Sequence, residues 1–247
     1  MFLILCSSSD VPALWASHGL QAMGLHPVSL VTPEMLSAAT TLEHRVGSEG
    51  TSISFKFMNG YGISDHTIRG VLNRLPGPPW EIINRFAPAD RDYALQEMTA
   101  FYLSWLNSLA CPMLNRPTPQ GLSGRWFHAS ELVLLAHQAG LATPTYRQSG
   151  SDGGDAGYKP LAPPQARIER VIVLGEEVFG AQPPADVREG CCKLAKLCHT
   201  PLLGIDFYAT AGHPWTISHA TPLPDFQAGG TRLLLRLTQV LQAGGIQ

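Results

Sequence analysis

Apolar and polar positions repeat with two different periods along this chain, and the changes of period mark out its elements. Phe2 to Cys6 is a continuous apolar run. It is followed by the polar stretch Ser7-Ser8-Ser9-Asp10, by Pro12, and by apolar positions Leu14, Trp15 and Leu20 to Met23 that stop at Gly24. That order predicts a buried strand, then a capped helix with proline in its first turn, closed by glycine. Residues 26 to 31 read as a second strand, so the chain opens as a β-α-β unit with a parallel sheet and a right-handed crossover. Thr51 to Phe57 alternates strictly, Ile53, Phe55 and Phe57 against Ser52, Ser54 and Lys56, and Asn59-Gly60 ahead of Tyr61-Gly62-Ile63 predicts a hairpin. Val71 to Leu75 is a further short strand running into PGPPW.

From Asp90 to Leu109 the period becomes helical, with Tyr93, Ala100, Phe101, Ser104 and Trp105 at helical spacing and Asp90-Arg91-Asp92 at the start, where negative charge favours the helix dipole. Cys111 to Pro117 reads as a short strand into a proline-closed turn, and Ser130 to Gln138 as a second helix. Arg147 to Arg167, RQSGSDGGDAGYKPLAPPQAR, has no apolar period and the composition of a loop or linker. At ~20 residues it is too short for a lobe of its own. Ile168 to Gly175 is a strand, Glu176-Glu177 a turn and Val178 to Gly180 its return. Val187, Cys191, Leu194, Ala195 and Cys198 form a helical stripe, and Leu233, Leu234, Leu237, Val240 and Leu241 form the apolar face of a last helix, Thr231 to Ala243.

Between those two helices lies PLLGIDFYATAGHPWTISHATPLPDF, residues 201 to 226. It reads as a strand from Leu202 to Tyr208, a turn at Ala211-Gly212-His213, a strand from Trp215 to Ala220 and a proline-bounded exit. Antiparallel partners lie side by side and alternate residues share a face, so Asp206 falls across from His219 and Thr221. Three polar side chains, Asp206, His219 and Thr221, therefore converge on one face.

Composition narrows the function. The chain has 247 residues, 45% of them hydrophobic and 15% charged, enough to bury a substantial core. A net charge of −2 without any Lys/Arg cluster argues against nucleic acid as a partner. The apolar start has no basic region before it and no stretch reaches the ~20 apolar residues of a membrane span, so the expectation is a cytoplasmic chain without a membrane partner. Five cysteines, Cys6, Cys111, Cys191, Cys192 and Cys198, follow no framework spacing and read as reduced thiols. The cluster around Cys191 lacks a C-x-x-C pair and falls on a helical stripe, which favours core packing over zinc. The Ser-rich turn at residues 7 to 10 lacks a phosphate-loop pattern and reads as an ordinary helix cap. No G-x-S-x-G occurs, and Ser218 lies on the opposite strand face from His219, so a serine hydrolase draws no support.

The order of these motifs resembles the ATP-grasp superfamily of glutathione-synthetase-like and peptide-modifying carboxylate–amine ligases. The shape G-I-D-F, turn, hydrophobic strand, P-x-P-D-F at residues 204 to 226 is similar to the end of such a ligase. So are G-L-x-x-P at residues 140 to 144, the hairpin around Arg170-Val171-Ile172-Val173, and the glycine turn into the closing helix. The resemblance implies an α/β chain: an N-terminal α/β lobe over residues 1–85, then a reduced ATP-grasp-like α+β lobe over 86–247 with a Gly/Pro-rich loop at 147–167. It also implies that Asp206 matches a magnesium-binding aspartate of the family, whereas His219 and Thr221 stand where the family carries Glu and Asn. Arg170 and Lys159 are the candidate phosphate contacts; an ion pair with Asp206 is the alternative for Arg170, a solvated side chain for Lys159, and a satisfied, partly buried histidine for His219. The small lobe that covers the nucleotide is largely missing. With hard oxygen ligands lost and the lid gone, the expectation is a degenerate ATP-grasp protein, a pseudoenzyme that binds a protein or peptide partner in a peptide-modification or natural-product pathway, with no cofactor. A homo- or hetero-oligomer fits that role. The alternative is an active, divergent ATP-dependent carboxylate–amine ligase using ATP with Mg or Mn, with Asp206, His219 and Asp225 as an unusual metal site.

Overall fold

The computed structural model describes residues 1–48, 50–146, 166–210 and 214–243. In chain order the elements are β1 (Phe2–Leu5), α1 (Val11–Ala22), β2 (Val28–Val31), α2 (Pro33–Ser37), β3 (Thr41–Gly47), β4 (Gly50–Lys56), β5 (Gly62–Ser64), β6 (Gly70–Asn73), α3 (Trp80–Ile83), α4 (Arg91–Ser108), β7 (Met113–Leu114), α5 (Ala129–Gln138), β8 (Arg167–Leu174), β9 (Glu177–Gly180), α6 (Ala185–Leu197), β10 (Leu202–Ala209), β11 (Thr216–Thr221) and α7 (Gly230–Ala243). They form an α/β fold with parallel and antiparallel sheets. None of the helices is long and apolar enough to cross a membrane, among the described residues.

Two compact units divide the chain, one from Met1 to Arg125 together with the chain from Leu233 onward, the other from Trp126 to Arg232. The sequence reading divides the chain near residue 85 instead. The difference arises because α4 packs its aromatic face on β4 of the first unit: the Trp105 and Phe101 rings lie 5.0 and 6.3 Å from Phe55. Arg116 folds back to donate hydrogen bonds to the carbonyls of Leu109 and Cys111, each at 3.0 Å, neutralising the carbonyl end of α4.

The first unit holds a parallel sheet in the order β2-β1-β6-β7. β1 is buried along its whole length, as a strand covered on both faces must be, hence its unbroken apolar run. Asp10 caps α1 by accepting from the Ala13 amide at 3.0 Å, and Gly24, with φ of 86°, takes the left-handed conformation that ends the helix. α7 closes this unit, and Gly19 lets it approach α1: a Cβ there would lie 2.4 Å from Leu234 Cδ1. A second, antiparallel sheet, β3-β4-β5, carries the Asn59-Gly60 turn between β4 and β5. β3, which the sequence reading leaves unassigned, is its edge.

The second unit is an antiparallel sheet in the order β11-β10-β8-β9. One face, with Val171, Val173, Leu203, Ile205, Phe207 and Ile217, packs on α5 and α6 in one apolar core. Cys191, Cys198, Leu194 and Ala195 belong to that core. All five cysteines are free, and burial pushes the Cys191 thiol up to about 12.

Candidate functional site

The face of the second sheet that is turned away from this core carries the chemistry. β8, β10 and β11 lie side by side in antiparallel register, Asp206 pairing with Arg170 on one side and with His219 on the other. Alternation sends their neighbours Val171, Ile205 and Phe207 into the core and leaves Arg170, Asp206 and His219 as one transverse row. Thr221 pairs with Gly204, two positions along the same strands. A register shift between Asp206 and Phe207 makes Ser218 the extra residue of β11 and bends the strand there. At Gly204 the face is closed, since a Cβ at that position would lie 2.9 Å from Pro224 Cβ.

Arg170 stands between two carboxylates. Its Nε lies 4.0 Å from Asp206 Oδ1 and its Nη1 3.8 Å from Asp225 Oδ2, with 57% of the side chain exposed. Asp206 is half-buried, and that burial pushes its carboxyl above the ordinary value; Arg170 and then His219 pull it back, and Asp225 adds to the rise. Asp225 is committed on its other oxygen, where Oδ1 accepts from the Gln227 amide at 3.1 Å. Thr221 Oγ1 accepts from the Leu223 amide at 3.1 Å and so fixes the turn at Pro222. His219 is exposed, because β11 is an edge strand; the expectation of a partly buried, satisfied histidine is corrected here. Beside it runs a groove of about 310 Å³ lined by Phe127, Leu132, Val133, Pro144 and Ile217. Lys159, the loop at residues 147–165 and the turn at residues 211–213 lie outside the described residues.

No protein-family model matches the sequence, and neither does any curated protein. Solved structures do match. The macrocyclase MdnC from Microcystis aeruginosa MRC, bound with precursor peptide MdnA, superposes with a TM-score of 0.70 at 12% identity, over 97% of this chain and 98% of the other. A RiPP-associated ATP-grasp ligase of Chryseobacterium gregarium, in complex with ADP and a leader and core peptide, gives 0.69 at 11% identity over 97% and 96%. The ATP-grasp ligase PsnB, complexed with a phosphomimetic variant of its minimal precursor, Mg and ADP, gives 0.67 at 15% over 98% of each. This chain has an ATP-grasp fold.

An ATP-grasp fold implies MgATP, and the side chains on this face can be tested against it. Magnesium takes near-octahedral oxygen ligands, usually one or two carboxylates with waters and phosphate oxygens. Here the row offers one carboxylate, Asp206, with a guanidinium on one side and an imidazole on the other. Thr221 Oγ1 is a neutral oxygen that already accepts one amide hydrogen, and Asp225 is shared between Arg170 and Gln227. Among the described residues, no three His, Cys, Asp or Glu side chains are grouped so as to hold a metal ion. This donor set does not fit a pair of magnesium ions. Arg170 lies on the open face with more than half of its side chain exposed.

Sequence alone puts Asp225 with Asp206 and His219 as a ligand of the alternative metal site and does not reach its pairing with Arg170. Asp225 is the N-cap of the turn at Phe226–Gly229, and its other carboxylate oxygen lies 3.8 Å from Arg170, a pairing that no local pattern signals.

Proposed function

We propose that this chain is a non-catalytic ATP-grasp-fold subunit that binds a peptide or protein partner in a peptide-modification pathway. The observation that carries the reading is the row itself. Where a magnesium site requires free hard oxygen ligands, Asp206 faces Arg170, the neighbouring position is His219, and the Thr221 hydroxyl is used inside its own turn. Ligation through an acyl phosphate needs metal ions and cations against the developing phosphate charge. Arg170 with its two carboxylates meets that need poorly, because they already offset its charge. A peptide as the partner is supported by the superposition on MdnC and on the Chryseobacterium gregarium ligase, both solved with peptides.

The alternative is an active, divergent carboxylate–amine ligase in which Asp206, His219 and Asp225 hold a transition metal, a chemistry that imidazole with carboxylates suits. Calorimetric titration with ATP and Mg²⁺ or Mn²⁺, on the wild type and on Asp206→Ala, separates the two. The expected outcome is no heat or thermal shift that requires nucleotide and metal together. A stabilisation that requires both and is lost in Asp206→Ala would overturn the reading of an emptied site, and metal-dependent consumption of ATP with a peptide acceptor would then establish the ligase.

A further inference from the structure

The antiparallel sheet of the first unit ends in a strand whose outer edge has no partner among the described residues. β3 pairs with β4 over its full length, from Thr41 opposite Lys56 to Gly47 opposite Gly50, and with no other strand. Proteins usually blunt such an edge with proline, with lysine or with a covering element. β3, TLEHRVG, has neither proline nor lysine, and its charged side chains Glu43 and Arg45 form an exposed salt bridge with each other. Its alternate positions Leu42, His44 and Val46 pair with Phe55, Ile53 and Thr51 of β4, yet Leu42 is 48% and Val46 69% exposed. His44 is tied to α4, its Nε2 3.1 Å from Ser104 Oγ and its ring edge-on to Phe101.

Immediately beside Leu42 lies a groove of about 380 Å³ floored by Leu36, Phe55, Met98, Phe101 and Tyr102. Glu97 is the one charged residue that lines it. No Lys or Arg is among the residues that line it.

We infer that β3 and this groove form a docking site for an extended peptide carrying an apolar side chain flanked by basic residues. The open edge supplies main-chain donors and acceptors, which recognise an extended backbone. The groove takes one apolar side chain, because alternate residues of an added strand share the face that Leu42 presents. Glu97 selects the sign of the flanking charge. The inference rests on the peptide-binding reading above and places that peptide on the first unit.

The test uses the full chain and two dye-labelled peptides with blocked ends, Lys-Val-Leu-Val-Lys and its counterpart with Glu at both ends. Fluorescence anisotropy is expected to show binding of the basic peptide only. Glu97→Lys is expected to weaken it by about tenfold or more and to admit the acidic peptide. Hydrogen exchange is expected to slow at the amides of residues 41 to 47 when the basic peptide is added. Equal binding of both peptides, or protection confined to other strands, overturns the inference. So does doubling of the mass in sedimentation with protection of β3 in the absence of peptide, which would assign the edge to a second copy of the chain. The nucleotide titration proposed above reads a different unit, so either reading can fail alone.

Discussion

Asp10 and Arg74 meet through two hydrogen bonds, Nε to Oδ2 at 2.8 Å and Nη2 to Oδ1 at 3.1 Å, with 3% of the arginine and 11% of the aspartate side chain exposed. The same aspartate caps α1. One carboxylate thus fixes both the start of the first helix and the end of β6.

Removing one partner of a buried pair leaves the other charge uncompensated, so Arg74→Leu is expected to cost about 3–5 kcal/mol. The double substitution Asp10→Asn with Arg74→Met keeps a capping oxygen and removes both charges; it is expected to recover most of that loss. Urea unfolding of the three proteins checks both statements.

Asp206→Asn is expected to leave stability at neutral pH unchanged or raised. The folded carboxyl sits above its unfolded value because burial disfavours the charge. A raised carboxyl contributes stability that is fully present below the unfolded value and is lost as pH rises through the folded one. In the wild type, stability should therefore fall as pH rises from about 3.8 through the raised value, and the Asn variant should lack that step. Thermal melts across the acidic range decide it. Arg170 keeps water and Asp225, so its loss of one partner is small.

Gly180→Ala is expected to destabilise the second unit by about 3 kcal/mol. Gly180 has φ of 88°, and a Cβ there would lie 2.5 Å from the carbonyl oxygen of Arg170, a backbone atom that is held by the Ala181 amide at 2.9 Å. The substitution must therefore push on the strand that carries Arg170. Chemical unfolding measures the loss, and Gly60→Ala, with no atom within 4 Å of the added carbon, isolates the part due to φ alone.

Cys6 and Cys191 are buried, and burial pushes both thiols up to about 12. A disulfide reagent at pH 8 is expected to leave Cys6, Cys191 and Cys198 unmodified in the native protein and to react with them only after unfolding. Cys111 and Cys192, which are partly exposed, account for the native reaction. Their folded values above the ordinary thiol value of 9.0 also mean that the stability contributed by Cys6 and Cys191 is present below that pH and is lost towards 12.

Local patterns carried most of the elements and none of the long-range choices. The register of Asp206 against His219 followed from two alternating strands and a short turn, and the structure has that pairing. β3 escaped because an edge strand with Leu42 and Val46 largely exposed has no buried face to set an apolar period. The short helices α2 and α3 escaped for want of length. The packing of α4 on β4 could not be read at all: an aromatic helical face fits any sheet, and contacts with Phe55 span nearly fifty residues. The Asp10–Arg74 pair lies 64 residues apart in sequence and has no local signature.

α7 gives the molecule an order of assembly. From Leu233 onward it packs in the first unit, with Leu234 against Gly19 of α1 and the Leu241 carbonyl within 3.0 Å of where a Cβ of Gly70 in β6 would sit. The sheet begun by the first strand is thus completed by the last helix. During synthesis, β1 and β6 wait for more than 150 residues before their covering surface arrives, while the intervening unit, contiguous from Trp126 to Arg232, can form as soon as it has emerged. A stop codon shortly before residue 233 would therefore strike the beginning of the protein: the nascent chain would hold a finished second sheet and an N-terminal one left bare to the chaperones.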